Sequence, residues 1–309
     1  MLVEHSMKKK CIFKHFFTNY LILCRFCSIL PFMKYNFSVE MTSGERINLD
    51  LYSGDPEKSR PCVVIVHGFK GFKDWGFFPV AATFFEQQNY HAITFNFSHN
   101  GISPGRDVFD QLEKFAENTF SREKQELNEI ITRVISGEFC NFDGDLFIIG
   151  HSRGGGVALL TAPGIRELSA IATWSSISYV DRFTDRQKKL MAENGFIELP
   201  NSRTGQMMRI NRTFTEDIEN NSGDALSIEK AIQNIDKPVL VVHGEIDGTV
   251  PVEEARFIYE RLSGSSSEIF IVPKADHTFK ISHPAGDLSG QFKLVLEKTH
   301  NFFRSNKRG

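Results

Sequence analysis

The chain has 309 residues, 41% of them hydrophobic, and its 36 Lys and Arg stand against 38 Asp and Glu for a net charge of −2. That length and apolar content exclude a disordered chain and suffice for one large α/β domain or two small ones. No polybasic block interrupts the globular part, so a nucleic-acid partner has no electrostatic footprint and a small molecule is the expected ligand.

Residues 1–32 differ from the rest. Met7-Lys-Lys-Lys-Cys11 and the apolar stretch from Ile12 to Pro31 begin like a secretion signal, but Lys14, His15, Asn19 and Arg25 interrupt the run and no small-x-small cleavage site follows. The uninterrupted piece is too short to span a bilayer. The segment reads as an N-terminal extension outside the fold, with an upstream start codon favoured over a signal, an anchor or an amphipathic membrane-surface helix. Residues 33–309 are then the folded domain, and no membrane partner is expected. Cys11, Cys24 and Cys27 fall in the extension, which leaves Cys62 and Cys140 in the body and implies no disulfide framework. A thiol-reduced, cytoplasmic protein is expected, or a membrane-attached or exported one if the extension is genuine.

From Tyr35 the pattern is regular. Phe37, Val39 and Met41 alternate with polar residues, Thr42-Ser-Gly-Glu45 turns, and Ile47, Leu49 and Leu51 alternate again, which predicts an antiparallel hairpin with one wet face. Continuous apolar runs follow at Cys62–Val66, Ala92–Phe95, Leu146–Ile149, Ala170–Thr173, Val239–Val242 and Ile269–Val272, as expected of strands covered on both faces. Helical spacing appears at Leu127, Ile130, Ile131, Val134 and Ile135 before Gly137, again at Ala255, Ile258, Tyr259 and Leu262 behind Pro251, and last at Phe292, Val295, Leu296 and Phe302. This alternation predicts a doubly wound, mostly parallel sheet, entered through the antiparallel hairpin, with ligands at the carboxyl ends of its strands.

Between Trp174 and Lys237 lies a long polar stretch. Thr184 and Gly195 bracket a capped helix, Phe196 to Ile210 reads as a hairpin, and an excursion of this length predicts a small cap over about residues 178–236. Its Met207, Met208 and Phe214 are candidates for a substrate pocket, although packing the cap's own small core is the more frequent fate of such residues.

Gly150-His-Ser152-Arg-Gly154 stands between a predicted strand and a predicted helix, the setting of a nucleophile elbow. Turning there in so few residues strains the serine, and side chains at 150 and 154 would strike neighbouring backbone. Ser152 is therefore the candidate nucleophile. Its acid and base should follow in chain order, and each is found after a strand: Asp247 in Glu245-Ile-Asp247-Gly, with Glu245 as rival, and His277 in Ala275-Asp276-His277, with His283 as fallback. Asp276 is read as shaping its loop, and His67 and His243 as structural. Two backbone N–H groups are candidates for an oxyanion hole, that of Arg153 and that of Phe69 in His67-Gly-Phe69-Lys-Gly71. Phe72 and Trp75 join the pocket candidates, and Phe77 and Phe78 read equally well as core.

On these four segments the chain resembles the α/β-hydrolase superfamily from about Tyr35 to Phe303. Within it the chain is similar to the dienelactone-hydrolase-like and cinnamoyl or feruloyl esterases, which insert a small cap after the strand that is here Ala170–Thr173. The resemblance implies a serine esterase acting on small to medium carboxylic esters through an acyl-enzyme, with neither cofactor nor metal. A serine aminopeptidase or acyl-peptide hydrolase with the same triad, and a silent fold that binds a ligand, remain alternatives. Acyl and alcohol specificity and oligomeric state are left open.

Overall fold

The computed structural model describes residues 33–308 apart from Ser202, Gly264 and Ser265. The reading of residues 1–32 as an extension lies outside the described residues. The main sheet consists of β1 (Lys34–Glu40), β2 (Arg46–Tyr52), β3 (Arg60–Val66), β4 (His91–Phe95), β5 (Phe142–His151), β6 (Leu168–Trp174), β9 (Val239–Gly244) and β10 (Glu268–Val272); β7 (Phe196–Pro200) and β8 (Met207–Asn211) form a separate antiparallel pair. The helices are α1 (Phe78–Gln87), α2 (Leu112–Ala116), α3 (Phe120–Ile135), α4 (Arg153–Thr161), α5 (Asp185–Asn194), α6 (Thr213–Asn221), α7 (Ile228–Gln233), α8 (Val252–Arg261) and α9 (Gly290–Ser305).

The eight strands lie in the order β1-β2-β4-β3-β5-β6-β9-β10, with β1–β2 and β2–β4 antiparallel and every other pair parallel. Helices cover both faces, which is why Cys62 to Val66 and Leu146 to Ile149 are buried without alternation. The helix α1 packs against α9, while α4 packs against α3 and α7, and α7 against α8. Trp174, at the end of β6, is fully buried against the rings of Phe77 and Phe292, which also touch each other, and donates its indole N–H to Thr299 Oγ1 at 3.1 Å.

The hairpin departs from its expected pattern on one strand. On β1 the outward residues are exposed, but on β2 Asp50 is buried, because β2 is flanked by β4 as well as by β1 and Lys73 covers its outer face.

Between β6 and β9 the chain builds α5, the β7–β8 hairpin, α6 and α7. Local signals account for α5: Thr184 and Gln187 close a capping box, and Gly195 ends the helix at φ +80°. The helices α6 and α7 are not visible in the sequence, since each buries only two or three residues: Phe214, Thr215 and Ile218 in one, Ile228 and Ile232 in the other.

The passage from β5 to α4 leaves a single residue, Ser152, between strand and helix, at φ +56° and ψ −122°. The turn is possible because the backbones on either side touch. A Cβ on Gly150 would lie 2.5 Å from Gly154 O, and one on Gly154 would overlap the carbonyl oxygens of Val66 and His67. The expected outcome for Gly154→Ala is a loss of about 3 kcal/mol or more of unfolding free energy, since rigid backbone rather than a mobile side chain must yield. Urea denaturation checks it; a stability equal to that of the parent contradicts this account of the turn.

Candidate active site

The parallel strands β3, β5, β9 and β10 all direct their carboxyl ends to one edge of the sheet, so the loops carrying Phe69, Ser152, Asp247 and His277 share that edge. The Ser152 N–H donates to Trp174 O at 2.9 Å and its carbonyl accepts from Gly155 N–H at 3.0 Å, which fixes the strained residue from both sides. The loop after β3 lies directly against it: a Cβ added to Gly68 would come within 3.0 Å of Ser152 Cβ and 3.4 Å of Arg153 N. Among the described residues, neither the Phe69 nor the Arg153 N–H has a hydrogen-bond partner.

Asp247 and His277 meet at 2.7 Å, Oδ2 to Nδ1. The carboxylate is the centre of a dense set of donors. The Thr249 and Val250 N–H groups donate to Oδ1 at 2.8 and 2.9 Å, while Oδ2 lies 3.3 Å from His243 Nε2, whose N–H also reaches Val250 O at 2.9 Å. Burial opposes ionisation of Asp247, yet the hydrogen bonds from His243 and His277, the His277 charge and the Val250 N–H outweigh it and hold the carboxyl far below the usual carboxylate range. An ionised Asp247 can only accept, so His277 Nδ1 is the donor of this hydrogen bond and the ring is oriented by it.

The residue preceding the serine ties the two halves together. His151 Nε2 donates to His277 O at 2.9 Å and the two rings lie 4.8 Å apart. Burial and the neighbouring His277 charge lower its pKa to about 3, so it stays neutral and keeps that donor. His67 is neutral for a similar reason: burial lowers it to about 4, and its ring spans from Gly68 O at 3.0 Å to the Phe97 N–H at 3.3 Å.

The rival residues are occupied elsewhere. Glu245 accepts from the Lys274 N–H at 2.8 Å, and Asp276 accepts from the N–H groups of Thr278 and Lys280 within its own loop. His283 accepts from Gly76 N–H at 3.0 Å and sits against Trp75 and Phe72. The pocket candidates do not gather. Phe72 and Trp75 are buried beside His283, Phe214 is buried over the Arg153 guanidinium, Met208 has no exposed surface, and Met207 is half exposed on β8. A groove of about 490 Å³ between α5 and β7, lined in part by Gln187, Leu190 and Phe196, contains none of the candidate site residues. Among the described residues no group of His, Cys, Asp or Glu is arranged to hold a metal ion, and no helix is long and apolar enough to cross a membrane.

Sequence reasoning missed a layer of buried charge behind these loops. Arg153 pairs with Glu123 at 2.8 Å; Lys73 pairs with Asp50 at 2.5 Å and with Asp74 at 2.6 Å; Glu126 accepts from the Ser98 N–H at 3.0 Å and from its hydroxyl, which also lies 2.7 Å from His99 Nδ1. One signal was available. Glu123 and Glu126 fall in the same helical stripe as Leu127 and Ile130, where carboxylates need partners.

No protein-family model matches the sequence, and no curated protein matches it. Solved structures do. Est1E from Butyrivibrio proteoclasticus with bound ferulic acid matches at TM-score 0.65 and 19% identity over 87% of this chain and 98% of that one. The α/β hydrolase GrgF from Penicillium sp. matches at 0.67 and 17% over 90% and 99%, and dienelactone hydrolase from Anabaena variabilis at 0.55 and 16% over 90% and 99%. The chain has the α/β-hydrolase fold.

Burial raises Glu126 from its ordinary value to about 7, with the Ser98 hydrogen bonds opposing. A carboxyl raised in the fold contributes stability that is complete below the unfolded value of about 4.3 and is lost as pH rises through about 7. His99, lowered by burial to about 4, acts with the opposite sign, so the informative quantity is the difference between parent and variant. Glu126→Gln should gain unfolding free energy relative to the parent between pH 5 and pH 8 in urea titrations. A parent-to-variant difference identical at both pH values contradicts the raised carboxyl.

Proposed function

We propose that the protein is a serine hydrolase that cleaves small to medium carboxylic esters through an acyl-enzyme. The observation that carries this reading is the Asp247–His277 contact of 2.7 Å, joined through His151 to an elbow whose serine has φ +56°. In the proposed reaction His277 Nε2 takes the Ser152 proton as Oγ attacks the ester carbonyl, and Asp247 stabilises the imidazolium without accepting its proton. The N–H groups of Phe69 and Arg153 donate to the developing oxyanion. His277 then protonates the leaving alcohol, and a water activated by the same nitrogen releases the acid. The reaction calls for no cofactor and no metal. The insertion between β6 and β9 is read as a cap over the site, and the ligand as a small-molecule ester.

An aminopeptidase remains the second reading, because the same triad would serve it. What favours esters is the insertion's mixed charge: Glu193, Glu198, Glu216 and Glu219 are offset by Arg203, Arg209 and Arg212, leaving no dominant acidic patch to fix a free amino terminus. The aromatic residues near the oxyanion loop and the ferulic acid bound to Est1E support an apolar or aromatic acyl group.

Ser152→Ala should reduce turnover of aryl esters on the order of 10⁴-fold or more while the protein stays folded. A variant that keeps a tenth of parental activity sinks the assignment. Asp247→Asn should lose on the order of 10⁴-fold and Glu245→Gln little, since the Glu245 carboxylate is engaged with the Lys274 N–H; the reverse order transfers the acid role to Glu245. In matched kcat/KM measurements aryl esters should outrun aminoacyl anilides, and faster anilide turnover hands the case to the peptidase.

A further inference from the structure

The side chain of Arg153 is buried beside the elbow and its guanidinium makes one charged contact, Nε to Glu123 Oε2 at 2.8 Å, while Nη2 is buried without a partner. Glu123 is itself held by Asn118 Nδ2 at 2.7 Å. A single N–H···O contact does not fix the rotation of a planar group. Three aromatic rings do so instead: the guanidinium carbon lies 4.2 Å from the Phe120 ring centre, 4.7 Å from that of Phe214 and 5.5 Å from that of Phe69. Phe120 belongs to α3, Phe214 to the insertion, and Phe69 to the loop after β3. The side chains of the two residues whose N–H groups are left unpaired at the elbow are therefore in contact with each other, and the insertion presses on the same stack.

Resting on the serine-hydrolase reading, we propose that the Arg153 side chain is a positioning residue for the oxyanion hole: it sets the Phe69 and Arg153 N–H groups relative to each other and couples both to the insertion through Phe214. The stack is charged, planar and desolvated, so a lysine that restores only the charge does not restore the geometry. Its contribution belongs to the transition state, when the oxyanion forms, rather than to substrate binding.

The test uses the full chain and three variants: Arg153→Lys, Phe214→Leu, and Arg153→Met combined with Glu123→Gln, which removes both buried charges together so that neither is left unpaired. The probe is an aryl trifluoromethyl ketone. Ser152 Oγ adds to its carbonyl carbon, the C=O π bond becomes the C–O⁻ of a hemiketal, and the serine proton passes to His277, so its affinity reports on the oxyanion donors. For the double variant and for Arg153→Lys, kcat and ketone affinity are expected to fall together by about 10-fold or more, with KM within about twofold. Phe214→Leu should show the same pattern at about threefold or more. The proposal is overturned if kcat and ketone affinity stay within about twofold of the parent, if KM rises with kcat unchanged, or if Arg153→Lys restores both. Should the double variant not fold, Phe214→Leu and Arg153→Lys decide alone. Failure of the serine-hydrolase reading is separate: the ketone would then inhibit the parent no better than it binds Ser152→Ala.

Discussion

The contact on which the arrangement depends is between backbones. At the carboxyl end of β5 the chain reverses into α4 through one residue, and the first turn of that helix lies against the carbonyls of Val66 and His67 with no room for a Cβ at Gly154. Closeness here has two results. It forces Ser152 to φ +56°, lifting its side chain off the sheet, and it brings the loop after β3 within van der Waals distance of the serine. The N–H groups of Phe69 and Arg153 thus come to the same edge because the strands beneath them, β3 and β5, are neighbours in register at Val66 and Gly150.

Around that turn, burial sorts the titratable groups. His67 and His151 lose their affinity for protons by desolvation and act as fixed, neutral hydrogen-bonding pieces. Asp247 is buried too, yet it stays ionised because two backbone N–H groups and two imidazoles converge on it. The same physical penalty therefore yields neutral rings on one side and a permanent anion on the other, according to how many donors meet each group. An imidazole held between such an anion and a neutral elbow histidine is oriented before any ligand arrives.

The insertion contributes through a few defined contacts. Phe214 lies on the Arg153 guanidinium, Lys70 Nζ donates to Pro200 O at 2.9 Å, and Arg203 donates back to Lys70 O. Lys70 has φ +54°, a conformation disfavoured for any residue with a side chain, and its carbonyl is one of the groups the insertion holds. The segment after β6 and the loop after β3, far apart in sequence, share these contacts directly.

By itself the sequence determined the elements with strong local or periodic signals. The apolar runs became the strands of the parallel sheet, Thr184 and Gly195 bounded α5, and the glycines of Gly150-His-Ser152-Arg-Gly154 announced a turn that only small residues permit. Chain order after strands singled out Asp247 and His277, which lie in hydrogen-bond contact. Tertiary structure alone decided what depends on partners remote in sequence. Asp50 sits at a position whose alternation reads as wet, and it is buried because Lys73 reaches over β2. Glu123 becomes the partner of Arg153 only when α3 packs on α4, and His151 becomes the clasp on the His277 loop only when the ends of β5 and β10 share an edge. Phe214 and Met208, alike as apolar residues of a polar stretch, part company for the same reason: one covers a guanidinium, and the other is fully buried on β8, the strand that packs on α2. Periodicity records which face of an element is buried, whereas a buried charge is set by what lies opposite, and that is a property of the packed chain.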